Sequence, residues 1–166
     1  MNIVIPYAPR PLQAQLHNEL QDKRWGVVVC HRRFGKTVMS VNHILRDAIL
    51  NDRTNPRYAY MAPTYRQAKS VAWDYLKEFA GSIPGVKFHE TELRCDLPTG
   101  ARISLLGAEN PDSLRGIYLD GCVMDEDEVG KLSRSASSSS FTALAIWRNK
   151  GCSNTHRPVA GNRICW

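Results

Sequence analysis

The stretch Trp25 to Ser40, WGVVVCHRRFGKTVMS, constrains the fold of this chain more than any other. A valine-rich apolar run stops at Cys30. A basic turn follows, closes in Gly35-Lys36-Thr37 and leads into residues with helical spacing. Strand, tight turn and helix in that order point the free N–H groups and the dipole of the helix start at whatever lies beyond the strand, which favours an anion. The pattern for a phosphate-holding loop is G-x-x-x-x-G-K-[ST] between a strand and a helix. CHRRFGKT satisfies it at Gly35, Lys36 and Thr37. Gly35 lets the backbone turn and approach phosphate, Lys36 brings a positive charge to the β- and γ-phosphates, and Thr37 offers a hydroxyl to Mg²⁺. Cys30 stands where the pattern has its first glycine, and its small side chain fits a backbone that keeps φ negative. The competing reading is a surface turn gathering Arg32, Arg33 and Lys36. The strand before the turn and the amphipathic helix after it weigh against that.

Around this motif the chain alternates. Gln13 to Asp22 reads as a short helix, with Leu12, Leu16 and Leu20 at helical spacing. Trp25 to Cys30 reads as a strand buried on both faces. Lys36 to Asn51 is a helix with Val38, Val41, Ile44, Leu45 and Ala48 on one side. Arg57 to Ala62 is a strand stopped by Pro63, and Tyr65 to Ala80 a helix ended by Gly81 and Pro84. Val86 to Leu97 and Ala101 to Gly107 read as two strands around Pro98-Thr99-Gly100. A polar loop leads to a last apolar run, Gly121 to Met124. The alternation predicts an α/β fold with a mainly parallel sheet flanked by helices. Trp73 is expected in the core. The five histidines show no constellation.

A phosphate loop needs a carboxylate to complete a metal shell, and that acid belongs at the end of another buried strand. GCVMDE meets the requirement. Asp125 would hold Mg²⁺ and Glu126 would orient and polarise an attacking water, since phosphoryl transfer is mainly positioning and charge stabilisation. The competing reading is a solvated acidic cluster, because Asp127 and Glu128 follow directly.

The formal charge of +6 suggests nucleic acid until it is located. Residues 1–130 hold 16 basic and 16 acidic side chains, so the whole excess comes from Lys131, Arg134, Arg148, Lys150, Arg157 and Arg163. The same tail opens on SRSASSSS, which has too little apolar surface to order itself. Residues 131–166 therefore read as a mostly irregular, serine-rich basic tail, with a short segment at Phe141–Trp147. The five cysteines are scattered without a Cys-x-x-Cys pair, which predicts free thiols rather than a zinc site; Cys152 with His156 has ligand spacing but makes only two ligands. No apolar run approaches the ~20 residues of a membrane span. The N terminus lacks the features of a signal peptide, so a cytoplasmic location is expected.

Four stretches together resemble the ATPase domain of the large terminase subunit of tailed phages, the motor that packages DNA into proheads. They are YAPRPLQAQLH, CHRRFGKT, YMAPTYRQAKSVAWDYLKEF and GAENPDSLRGIYLDGCVMDE, and the resemblance covers roughly residues 5–128. It implies a P-loop NTPase of the additional-strand type, shared with helicases, with ATP and Mg²⁺ as ligands. By the same resemblance Tyr7 and Gln13 contact adenine. The loop, Arg32 to Thr37 with Phe34 among its residues, holds the phosphates, and one arginine, Arg33 in preference to Arg32, stabilises the γ-phosphate as a planar fork. The partners implied are double-stranded DNA, the small terminase subunit and the portal, in a homo-oligomeric ring in the host cytoplasm, with no membrane. Arg115 is a candidate contact to DNA or a neighbouring subunit, against a plain surface arginine.

After Glu126 the resemblance stops. The buried strand ending near Gly-Thr-Pro, which couples hydrolysis to movement, has no counterpart, and neither does a nuclease domain. The chain is therefore expected to be a partial P-loop ATPase domain over residues 1–130, incomplete at its C-terminal side. Residues from about 127 onward read as out of frame, with a natural short variant as the alternative. A sheet without its later strands is expected to leave an exposed edge. Three functions follow: an ATP-hydrolysing packaging motor domain, a helicase-like DNA translocase, and a non-catalytic nucleotide-binding fragment.

Overall fold

The computed structural model describes residues 2–31, 33–109, 114, 116–125, 141–149 and 163–165. Helix α1 spans Pro11–Gln21, with Pro11 at the first helical position, where a missing N–H costs nothing. Strand β2 is Trp25–His31 and helix α2 is Lys36–Leu50. Strand β3, Arg57–Ala62, leads to a Thr64 hydroxyl that caps the short helix α3, Tyr65–Gln67, at 3.2 Å from the Gln67 amide. A π-helical turn at Ala68–Ala72 joins α3 to α4, Trp73–Ala80, so the helix expected over Tyr65 to Ala80 is three consecutive pieces. Strands β4 (Lys87–His89), β5 (Arg94–Asp96) and β6 (Arg102–Gly107) form an antiparallel meander. The strand read as Val86 to Leu97 is therefore two strands around a turn. Strand β7 is Gly121–Asp125.

Seven strands make one sheet in the order β2-β8-β7-β3-β6-β5-β4, where β8 is Phe141–Arg148. The segment expected at Phe141–Trp147 is thus an interior strand between β2 and β7, antiparallel to both. Strands β3, β6 and β7 pair in parallel, and β2 runs the same way as β7. A second, two-stranded sheet pairs β1, Asn2–Val4, with β9, Arg163–Cys165, in parallel. Apart from Asn149, the remaining tail residues, the serine run among them, lie outside the described residues.

Register puts Val28, Leu144, Ile146, Val123, Tyr58, Tyr60, Ile103 and Leu105 on one face, and all are buried. Val41 and Ile44 of α2 and Leu76 of α4 meet Tyr60, Ile103 and Leu105 there. Successive crossovers from β2 to β3 to β6 step in one direction along the sheet, which places both helices on the same face. Trp73 is buried in this core as expected. The start of β7 is pinned to β3 by the buried Asp120, whose carboxylate accepts from the Arg57 amide at 2.9 Å and from Arg53 at 2.5 Å.

Strand β2 departs from expectation. It is an edge strand, and Trp25, Val27 and Val29 are 59%, 63% and 64% exposed, with only Val28 buried. The apolar run was read as buried on both faces because composition does not say which face a neighbouring layer covers. Among the described residues, no helix is long and apolar enough to cross a membrane.

Candidate functional site

The sheet delivers β2 and β7 to the same end of the molecule, one on each side of β8. The turn from β2 to α2 is tight: the Phe34 amide donates to the His31 carbonyl at 3.3 Å. Arg33 and Gly35 both take left-handed backbone conformations, with φ of 68° and 85°. For Arg33 that conformation is costly and is held by its surroundings. Gly35 is the residue before the first helical position of α2, and no side chain caps the helix there. The start of a helix is where an anion is favoured by the helix dipole and the first N–H groups. Lys36 opens the helix and is only 8% exposed.

Helix α1 holds this turn from the side. Arg10 Nη1 donates to the Arg33 carbonyl at 3.2 Å. Gln13 Nε2 donates to the carbonyls of Phe34 at 3.1 Å and Gly35 at 3.3 Å, while its Oε1 accepts from the Arg10 amide at 3.0 Å. A Cβ on Gly35 would lie 2.8 Å from Gln13 Nε2, so glycine is needed there twice, for φ and for space.

Asp125 ends β7 on the helix-covered face, in register with Leu144 and, through it, with Val28. The Tyr60 hydroxyl donates to Asp125 Oδ2 and sets the carboxylate's orientation. Burial pushes the Cys30 thiol up; Lys36 opposes the shift and Asp125 adds to it. Thr37 is half-buried in the first turn of α2. Together Thr37 and Asp125 offer two hard oxygen donors of the kind Mg²⁺ takes. Among the described residues, no group of three His, Cys, Asp or Glu is arranged to hold a metal without further ligands.

Of the residues singled out in the sequence, the fold gathers Gln13, Phe34, Gly35, Lys36 and Asp125 around one end of the sheet. Tyr7 and Gln13, expected at adenine, are 5% and 3% exposed and turn inward; the Gln13 amide is engaged by the loop's backbone. Arg33 is exposed. Arg32, Glu126 and Arg115 lie outside the described residues, as do Cys152 and His156. Cys30, Cys95 and Cys122 are free thiols.

Sequence reasoning missed two features. Tyr60 reads as an ordinary strand aromatic, and only strand pairing brings it to Asp125. The histidines were expected to form no constellation, yet His17 and His43 stack with ring centroids 5.2 Å apart and Nδ1 atoms 3.0 Å apart. The available signal was a histidine on the buried side of each of two helices: His17 four residues after Gln13, and His43 within the apolar stripe of α2.

The family model described as "Terminase large subunit, T4likevirus-type, N-terminal" matches residues 31–143. The match begins at the end of β2, spans the loop and both acid positions, and runs into β8. Among solved structures, the large terminase ATPase domain of Thermus phage P74-26 is similar at 24% identity with a TM-score of 0.44. The alignment covers 58% of this chain and 45% of that one, so this chain spans less than half the length of that relative. No curated protein matches.

Proposed function

We propose, from the premise that this chain belongs to the terminase large subunit N-terminal family of the T4-like type, that it binds ATP at the turn between β2 and α2 as the ATPase part of a phage DNA-packaging motor. The observation that supports the reading is geometric: strand pairing sets Asp125 at the end of β7 in register, through Leu144, with Val28 of β2, and the β2 turn leads directly into α2 at Lys36. In this reading Lys36 and the first N–H groups of α2 hold the β- and γ-phosphates. Thr37 and Asp125 hold Mg²⁺, with Tyr60 keeping the Asp125 carboxylate turned to its task. When bound, Mg²⁺ neutralises charge on the phosphate oxygens. Arg33, or Arg32 beside it, brings a planar guanidinium to the γ-phosphate, and Glu126 orients the attacking water. The adenine contact expected of Tyr7 and Gln13 competes with their engagement by His17 and by the loop's carbonyls, and in this reading both keep that engagement.

The wider roles belong to the same proposal: double-stranded DNA as the object moved, the small terminase subunit and the portal as partners, a homo-oligomeric ring, and the host cytoplasm as the place. Turnover by this chain is expected to be slow or absent. Strand β8 enters the sheet at the loop's end, with Phe141 opposite His31, and runs away from it. It therefore brings no C-terminal strand end between β2 and β7 to couple hydrolysis to movement. The same observation favours a second reading, a nucleotide-binding chain without catalysis.

Titration with ATP and steady-state phosphate release, on wild type, Lys36→Ala and Glu126→Gln, separate these. Lys36→Ala is expected to weaken ATP binding by about 10-fold or more, through loss of a charge-assisted contact. Glu126→Gln is expected to bind normally and to lose whatever turnover the wild type has. Unchanged binding in Lys36→Ala would remove the site; wild-type turnover in the range of complete packaging motors would remove the slow-turnover reading.

A further inference from the structure

Behind the loop runs a continuous buried line of polar side chains that the phosphate chemistry does not use. Arg148 of β8 sets one end: Nη1 donates to the Gln21 carbonyl at 2.7 Å, and Nη2 lies 2.8 Å from Asp47 Oδ1 and 3.2 Å from His43 Nε2. His43 Nδ1 lies 3.0 Å from His17 Nδ1. His17 Nε2 is 3.1 Å from the Tyr7 hydroxyl, which is 3.5 Å from Gln13 Oε1. Gln13 then reaches the carbonyls of Phe34 and Gly35. Three separate elements and the N-terminal segment are joined by this line to one turn.

Its direction follows from one end. A guanidinium only donates. His43 Nε2 therefore accepts, and the proton of the neutral ring sits on Nδ1. That leaves His17 Nδ1 as acceptor and His17 Nε2 as donor to the Tyr7 oxygen. Tyr7 keeps its own proton for Gln13 Oε1, and the Gln13 amide must then face the loop with its NH₂. Each donor polarises the next in surroundings that exclude water.

We propose that His17 and His43 are positioning residues for the phosphate loop. With Arg148 and Tyr7 they hold the Gln13 amide against the left-handed turn at Gly35. The amide stands directly on that turn, since even a Cβ at Gly35 would meet it at 2.8 Å. A break anywhere along the line leaves the Arg10 amide as the remaining donor to Gln13 Oε1, so the Gln13 amide is held against the two loop carbonyls less firmly. The effect on nucleotide affinity rests on the proposed ATP site; the effect on the turn does not.

The test is amide hydrogen exchange at Phe34, Gly35 and Lys36 without nucleotide, together with the dissociation constant of a fluorescent ATP analogue. His17→Leu removes both ring bonds; His17→Gln keeps one donor and one acceptor; Ile103→Val is a core control on β6, which has no hydrogen bond in the line. His17→Leu is expected to speed exchange at the turn about 10-fold beyond the control and to weaken the analogue about 5- to 10-fold, the scale of one lost buried hydrogen bond. His17→Gln is expected to stay close to wild type. Tyr7→Phe, which removes a single oxygen one link nearer the loop, gives the same reading where His17→Leu does not fold. Turn exchange that rises no more than in Ile103→Val overturns the proposal, even if wild type binds the analogue. A turn that responds as expected in a wild type that does not bind the analogue upholds the positioning role and overturns the ATP site instead.

Discussion

Gly35 shows how much a single position carries. Its φ of 85° suits glycine, and Gln13 Nε2 occupies the space a side chain would need. Gly35→Ala is therefore expected to lower stability by about 1–2 kcal/mol for the backbone conformation alone, read as a lower urea midpoint. It should also displace the Gln13 amide, so ATP affinity should fall further than stability does. Arg33 shares the left-handed conformation without being glycine, the kind of local cost that persists where surrounding contacts hold the backbone. The turn at Gly35 and the helix start at Lys36 and Thr37 were legible because the motif is local: their conformation depends on residues within one turn. Cys30 was legible as tolerable for the same reason. Tyr60 was not, because its partner Asp125 lies 65 positions away and meets it only through strand pairing.

At the scale of elements, α1 and α2 are joined by the His17–His43 pair. Burial holds His17 down at about 3, with His43 and Arg46 adding to the shift; burial also lowers His43, opposed by Asp47 and joined by Arg148 and Arg46. Both rings are neutral in the fold. Below the ordinary value of 6.5 the unfolded chain takes up protons that the folded chain refuses. The stabilisation is thus fully present above that pH and is lost as pH falls below it, for His17 down toward about 3. The urea midpoint should drop between pH 7 and pH 5, and His17→Gln should flatten that drop; equal slopes in the two proteins would contradict the assignment. Helix boundaries were read well, since caps and periodicity are local. Which helical histidines meet depends on how two helices cross, and no window of sequence reports that.

For the whole molecule, β8 decides most. It joins β2 to the rest of the sheet, with Val28 paired to Leu144 and Leu144 to Asp125. Leu144 is fully buried. Leu144→Ala should cost about 2–5 kcal/mol, measured by urea unfolding. An irregular tail would leave the midpoint unchanged. Edge strand β2, with Val27 and Val29 open to solvent on one face, is the place where association between molecules is favoured.

The sequence by itself determined the glycine turn between β2 and α2, the helices on either side of it, strand β3, the acid at the end of β7 and the α/β class. All of these rest on hydrogen bonds and side-chain periods spanning a few residues. Only the tertiary structure decided that β8 fills the place between β2 and β7, that β2 is an edge, and that Arg148, His43, His17 and Tyr7 line up behind Gln13. Those outcomes turn on which surfaces find each other across separations from ten residues to more than a hundred, where competing pairings differ in packed area rather than in local pattern.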